Sequence, residues 1–356
     1  MKTNFGINGF GRIGRTACRV WWLSYQQDSN LQMINTSGSM ELEDWAYLLK
    51  RDTNYGEFAA EIITETHQSK DDTTEQDPVL GTLTIKDGQR LATIVVTAQR
   101  NPEKLPWKEN GVDVVLEATG VFRTEEKAAL HFQGGAKYVI LSAPAKGGQV
   151  NSSVIGVNQF DKQGSQVFSN ASCTTNCVAP VTKVIEEKFG IEKAMLTTVH
   201  AYTDGQNLLD NSHKDMRRAR AAAMNIVPTT TGAAVATTNI IPKLKNKFDG
   251  MAIRVPTPVG SLSDMVFVTS KDVTVEEVNQ ALIEASQRDY FQGILATTDE
   301  AIVSSDIVGR PESSIIDLNF TKVVGGNLVK VLSWYDNEWG YSHRLIEQIS
   351  LIPTKS

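Results

Sequence analysis

Gly9-Phe10-Gly11-Arg12-Ile13-Gly14 decides the fold of this 356-residue chain. It spells G-x-G-x-x-G, a spacing that carries weight only between a strand and a helix. Lys2–Asn8 before it reads as a strand, and Arg12–Gln26 after it reads as a helix. In that setting the glycines permit a tight turn and let backbone approach a pyrophosphate. The helix start then offers oriented N–H groups and partial positive charge.

Working outward, Leu31–Asn35 reads as a second strand. The acid expected about 20 residues beyond the fingerprint is missing there. The strand instead runs into Thr36-Ser37-Gly38-Ser39, whose hydroxyls leave room for a 2′-phosphate and can donate to it. The spacing predicts a helix over Leu42–Lys50 and a polar surface loop over Thr66–Pro78. A hairpin is expected from Thr82–Lys86 and Leu91–Thr97 around Asp87-Gly88. Val112–Ala118 and Tyr138–Ser142 are apolar runs of buried parallel-strand type, with a helix expected over Glu125–Phe132 between them. This alternation implies an α/β, doubly wound sheet.

After Ser172 the rhythm changes to longer strands, near Ala194–Ala201, Ala252–Val255, Leu262–Thr269 and Val329–Tyr335. Helices are expected over Thr174–Phe189, Thr274–Asp289 and Trp339–Ile349. The second half is therefore an α+β domain of mixed sheet.

Three cysteines, Cys18, Cys173 and Cys177, argue against a disulfide framework, and no cluster has zinc-ligand spacing, so no metal is expected. Cys173 opens a predicted helix, where dipole and free N–H groups stabilise a thiolate nucleophile. Cys177 and Cys18 fall inside helices and read as packing. His200 ends a strand in the same half as Cys173 and is a candidate base, whereas His67 and His131 carry no motif. Lys214-Asp215-Met216-Arg217-Arg218-Ala219-Arg220 crowds four cations into seven residues, and Arg254 follows a strand. In a chain of net charge -6 these arginines suit a phosphate or a solvated helix face. Thr229-Thr230-Thr231-Gly232-Ala233 reads as an anion cradle or an ordinary cap.

The acidic balance disfavours nucleic acid and anionic membrane as partners. No apolar run approaches the about 18 residues of a membrane span. The N-terminal residues lack an apolar signal core, so a cytoplasmic location is expected.

Taken together the chain resembles the phosphorylating glyceraldehyde-3-phosphate dehydrogenase family from end to end. The segments that carry this are INGFGRIGR (7–15), NPEKLPW (101–107), EATGVF (117–122), SAPAKGG (142–148) and SNASCTTNC (169–177). TTVHAYT (197–203), HKDMRRARAAA (213–223), IVPTTTGAA (226–234), RVPTP (254–258) and SWYDNEWGYSHR (333–344) continue it. The resemblance implies a Rossmann domain over 1–172 plus 337–356 and a catalytic domain over 173–336. It implies reversible oxidation of D-glyceraldehyde 3-phosphate to 1,3-bisphosphoglycerate through a Cys173 thioester, with His200 as base. Phe10, Gly11, Arg12, Ile13, Thr119, Ser142 and Asn337 would touch the dinucleotide. Thr203 and Arg254 would hold the substrate phosphate, and Ser172, Thr174, Thr231, Gly232 and Arg217 the attacking inorganic phosphate. A homotetramer is implied as well.

Some positions depart from the family's pattern. Thr36 stands where NAD-using members place the ribose-binding Asp, with Ser37 beside it as a further cofactor-binding candidate, and Ser212 resembles members that accept NADP. NADP is therefore the expected cofactor, with NAD the alternative. Gly205 replaces a common acid and Val259-Gly260 a common Asn-Val. Two other readings compete: an erythrose-4-phosphate dehydrogenase on the same scaffold, and a non-catalytic dinucleotide-binding regulator.

Overall fold

A computed structural model describes residues 2–147, 150–158 and 165–352. Gly148 of the SAPAKGG segment and residues 353–356 of the expected first domain lie outside them. The chain divides into two compact units. The first runs to Ser152, resumes up to Ala171 and takes in the chain from Ser342; the second holds Ser153–Gln159 and Ser172–Tyr341.

The first unit is built on a nine-stranded sheet. Its order is Asn151–Ser152, Val167–Ser169, Tyr138–Leu141, Val114–Glu117, Thr3–Asn8, Ser29–Thr36, Arg90–Ala98, Val79–Asp87, Glu61–Thr66. From Asn151–Ser152 to Arg90–Ala98 every pairing is parallel. The last two pairings are antiparallel, because the expected hairpin folds back from the parallel edge. Thr3–Asn8 pairs with Ser29–Thr36 on one side and Val114–Glu117 on the other. That reversal of direction in strand order opens a crevice at the strands' carboxyl ends, beside the glycine fingerprint. Val115, Val139, Leu141, Met33 and Trp107 form the core below, each fully buried. Burying side chains of this size contributes about 1.5–3 kcal/mol apiece.

Two helices differ from the expected form. Arg12–Gln26 is an α-helix only over Arg12–Val20 and continues as a π-turn over Trp21–Tyr25. The wider turn brings the consecutive rings of Trp21 and Trp22 both into the core. Glu125–Phe132 is α over Glu125–Ala128 and 3-10 over Ala129–Phe132. The tightened turn accompanies full burial of His131. The helix Leu42–Lys50 has the expected limits. Residues 67–78 form no regular element, yet Glu41 accepts from Ser69 Oγ at 3.1 Å and Lys70 N–H at 2.9 Å, which tethers the loop.

The second unit is built on a seven-stranded mixed sheet. Its order is Val227–Thr230, Phe248–Val255, Ile191–Ala201, Ser261–Thr269, Leu328–Tyr335, Ser314–Val324, Leu295–Thr298. Helices Cys173–Phe189 and Val275–Ser286 bury Val178, Val181, Ile185, Val278 and Leu282 in one cluster with strand residues Leu196, Phe267 and Val331. The strands Val227–Thr230, Leu295–Thr298 and Ser314–Val324 add to those expected from the sequence. The first two are short, and Thr-rich stretches give no clear apolar alternation. Among the described residues no helix is long and apolar enough to cross a membrane.

Candidate active site

Ser172 caps the helix Cys173–Phe189, its hydroxyl accepting from the Thr175 N–H at 3.0 Å. Cys173 is thereby the first helical residue. Two positions earlier Ala171 holds φ 52, a left-handed conformation that a side chain makes costly. His200 lies near the end of the strand Ile191–Ala201, with Nε2 3.5 Å from Cys173 Sγ. The Ala201 carbonyl lies 2.6 Å from His200 Nδ1 and accepts from Arg254 Nη1 at 2.8 Å. Nδ1 thus faces both an acceptor, that carbonyl, and a donor, Arg254 Nη1 at 2.8 Å; the tautomer protonated at Nδ1 toward the carbonyl is the one that leaves Nε2 its lone pair for the Cys173 thiol proton.

The electrostatics differ from a simple helix-start thiolate. Burial pushes the Cys173 thiol up, and Arg254 with the Thr174 hydroxyl and N–H pulls it back only in part. His200 is pushed down to about 3, first by burial and then by the charge of Arg254, whose Nη1 is 2.8 Å from Nδ1. The pair is thus a thiol facing a neutral imidazole. Cys18 and Cys177 are fully buried, and burial raises them to about 12 and about 11.

Tyr335 joins the two elements. Its buried hydroxyl is 2.9 Å from both Thr174 Oγ1 and Thr198 Oγ1, and its ring meets His200 edge-on at 5.9 Å. No local spacing in the sequence marks Tyr335 for this role; its place in SWYDNEWGYSHR is the one signal that points to it. The same geometry turns the Thr174 hydroxyl inward, away from the role of phosphate ligand expected for it. Asn337 is buried, and its Oδ1 accepts from Gly260 N–H at 3.2 Å and Ser261 Oγ at 2.9 Å. Gly260 has φ +90, and a Cβ there would meet the Ser304 carbonyl oxygen at 2.6 Å. With this backbone the glycine at 260 is needed; nothing in the structure explains Val259.

Of the clustered arginines, Arg218 faces this site. Its Nε donates to Thr229 Oγ1 at 2.9 Å and its Nη2 to the Thr230 carbonyl at 3.2 Å, just before Thr231-Gly232. Its charge reaches both His200 and Arg254. The Arg217 side chain is exposed, and neither His200 nor Arg254 feels its charge among the causes of their shifts. The inward arginine is therefore Arg218 and not the expected Arg217; spacing within a run of arginines holds no signal for which one turns inward. A Cβ on Gly205 would lie 3.5 Å from Thr203 Oγ1 and 3.7 Å from Arg218 Nη1. Those two groups therefore converge on one point, at ordinary contact distance from the glycine's Cα substituent position. Thr231 Oγ1 accepts from the Ala233 N–H at 3.2 Å, and Gly232 begins the helix Ala233–Ile240 with no side-chain cap.

The first unit carries the glycine loop. Gly9 has φ +99, and a Cβ on Gly14 would stand 2.1 Å from the Gly9 carbonyl oxygen. A Cβ on Gly11 would meet nothing within 4 Å, so the turn is open there. The helix Arg12–Val20 starts without a side-chain cap or a first-turn acid. This cradle suits a pyrophosphate. Phe10 is buried against Trp45, so only its backbone faces the loop. Ile13 is half-buried, and Arg12 is engaged by Asp52 at 2.6 Å. Thr119 is exposed beside Gly9, and Ser142 is half-buried, its N–H donating to the Glu117 carbonyl at 3.0 Å.

At the end of Ser29–Thr36 the expectation needs correction. Thr36 is buried, and its hydroxyl donates inward to the Thr97 carbonyl at 3.0 Å, so it has no proton to offer a phosphate. Ser37 and Ser39 are the exposed hydroxyls, 2.9 Å apart. Exposed Arg100 joins them, its Nε donating to the Ser37 carbonyl at 3.2 Å. It lies 63 residues from Ser37, so no local pattern links the two. Ser212 lies exposed in a loop of the second unit.

A doubly wound unit with an open glycine cradle, followed by a unit holding a Cys–His pair among arginines, defines a class: dinucleotide-dependent oxidoreductases that work through a cysteine. Comparison narrows it. Residues 3–125 match the family model "Glyceraldehyde 3-phosphate dehydrogenase, NAD binding domain" and residues 172–337 match "Glyceraldehyde 3-phosphate dehydrogenase, C-terminal domain". The chain is 48% identical to a glyceraldehyde-3-phosphate dehydrogenase of Streptomyces coelicolor, over 98% of this chain and 97% of that one. It is 46% identical to that of Geobacillus stearothermophilus, covering 100% and 99%. It is 45% identical to the chloroplastic B form of Pisum sativum, covering 99% and 75%. The chain belongs to the glyceraldehyde 3-phosphate dehydrogenase family.

Proposed function

We propose that the chain catalyses the reversible, phosphorylating oxidation of D-glyceraldehyde 3-phosphate to 1,3-bisphosphoglycerate. The observation that carries this is Cys173 Sγ 3.5 Å from His200 Nε2, with Arg254 and Arg218 beside the pair. Two cations suit two phosphates: one on the substrate, one attacking. On this reading the first unit binds the dinucleotide and the second does the chemistry.

Cys173 Sγ bonds to the aldehyde carbon, and its proton passes through His200 Nε2 to the carbonyl oxygen, giving a hemithioacetal. His200 then accepts the hydroxyl proton, which prepares that carbon for oxidation to the thioester. A nicotinamide dinucleotide, when bound, supplies the two-electron oxidation. A phosphate oxygen attacks the acyl carbon, the C–S bond breaks, and the sulfur leaves with its electron pair to be reprotonated from His200. Burial depresses His200 most; phosphates at Arg254 and Arg218 would neutralise the cations that add to it, so substrate binding raises the imidazole's basicity in part. Thr203 and Arg254 take the substrate phosphate. Ser172, Thr231, Gly232 and Arg218, in place of Arg217, take the inorganic one.

We further propose NADP as the preferred dinucleotide. The exposed Ser37 and Ser39 hydroxyls and the Arg100 guanidinium support it, together with the missing acid at 36. Gly11, Arg12 and Ile13 would meet the pyrophosphate through backbone, with Thr119, Ser142 and Asn337 toward the nicotinamide and Ser212 from a neighbouring subunit. A homotetramer, supported by exposed Leu208, Leu209, Met224 and Ile226, and a cytoplasmic setting complete the reading. The test is initial rates of dinucleotide reduction with glyceraldehyde 3-phosphate, with and without inorganic phosphate, titrating NADP and NAD separately. Phosphate-dependent turnover, more efficient with NADP, is expected. A rate indifferent to phosphate refutes the phosphorylating assignment, and a higher kcat/KM with NAD refutes the cofactor preference.

A further inference from the structure

Beneath the glycine cradle lies a buried polar chain that the chemistry above leaves unused. Glu117 ends its strand 2% exposed. Its Oε2 accepts from Asn8 Nδ2 at 2.5 Å and lies 3.1 Å from His131 Nε2. Its Oε1 accepts from the Thr119 N–H at 2.9 Å and also from the Thr119 hydroxyl.

Each of these bonds has one possible direction. Trp107 Nε1–H, which can only donate, meets His131 Nδ1 at 3.1 Å, so Nδ1 accepts and Nε2 carries the proton toward Glu117. Asn35 Oδ1 accepts from the Gln99 N–H at 3.0 Å and Thr97 Oγ1 at 2.9 Å, so its amide nitrogen donates to Asn8 Oδ1 at 2.7 Å. Asn8 must then donate to Glu117. The chain of bonds crosses the carboxyl ends of adjacent strands and converges on one carboxylate, which meets donors only.

Asn8 and Thr119 flank Gly9. A Cβ on Gly9 would stand 2.8 Å from the Thr119 nitrogen and 2.9 Å from the Ala118 carbonyl carbon. The Ala118 N–H donates to the Asn8 carbonyl at 2.8 Å. Glu117 thus ties the first glycine of the cradle to the Ala118–Gly120 turn that walls it.

We propose that Glu117 is a positioning residue of the dinucleotide site, holding the Gly9 turn and the Thr119 turn at the separation that admits the ligand. This rests on the dinucleotide-binding reading above. Glu117→Gln keeps size but sets an amide N–H₂ against donors that cannot reverse: the Thr119 N–H on one side, Asn8 and His131 on the other.

The test uses the full-length protein and calorimetric titration with NADP and with NAD, well below the melting temperature, beside apo-protein melting and the Cys173 alkylation rate. The expected result is affinity lowered about tenfold or more for both dinucleotides, with Cys173 alkylation unchanged. A variant with lower melting temperature and wild-type affinity overturns the proposal and leaves Glu117 a core residue only. If the glutamine variant does not fold, Glu117→Asp decides by the same criteria, because it keeps the acceptors but is too short to span both turns. Wild-type protein that binds neither dinucleotide would instead refute the dinucleotide reading itself.

Discussion

Replacing His200 with Asn, read at two pH values, tests the electrostatics of the site. The imidazole is 4% exposed and held down to about 3, against 6.5 when free. The unfolded chain therefore binds the extra proton between those values, and wild-type stability falls as pH drops from about 6.5 toward 3. The contribution is RT ln of the ratio of the two binding polynomials. It is close to zero at pH 7 and about 3 kcal/mol at pH 4. Other groups titrate in both proteins, so the difference between variant and wild type isolates this one. Urea unfolding at pH 7 should show His200→Asn destabilised by lost contacts. At pH 4 that gap should close by about 3 kcal/mol. An equal gap at both pH values would refute a buried neutral imidazole. The same variant should lose roughly 10²–10⁴-fold in kcat, the usual yield of a positioned base.

Iodoacetamide at pH 8 should label Cys173 alone, since burial holds Cys18 near about 12 and Cys177 near about 11; mass spectrometry of the peptides reads the result, and equal labelling of all three refutes the assignment. The Cys173 rate should climb with pH above neutrality, because its thiol is raised rather than lowered. Gly14→Ala drives a Cβ to 2.1 Å from the Gly9 carbonyl oxygen, backbone that cannot yield cheaply. It should cost roughly 1–3 kcal/mol and abolish dinucleotide binding, followed by melting and calorimetry. Arg100→Ala should weaken NADP roughly threefold to tenfold while leaving NAD unchanged; equal effects on both would remove Arg100 from the 2′-phosphate site.

Local pattern made much of this protein legible. The glycine fingerprint, the apolar strands around it and the helix start at Cys173 are each determined within a few residues, because backbone conformation and helix initiation are short-range. The change of rhythm after Ser172 separates a mostly parallel sheet, antiparallel only at one edge, from a thoroughly mixed one for the same reason. Other features required the fold. Which arginine of the run turns inward depends on where the strand Val227–Thr230 offers Arg218 a hydroxyl and a carbonyl. Thr36 looked like a phosphate donor until the neighbouring strand supplied the Thr97 carbonyl that takes its proton. His131, motifless in the sequence, owes its tautomer to Trp107, 24 residues away, and Tyr335 meets Thr174 across 161. Sequence alone therefore carried most of the elements and pointed to Cys173 as the candidate nucleophile. Tertiary structure decided which polar groups are already spent and which still face a ligand, since hydrogen-bond partners and burial are set by strands that meet only after folding.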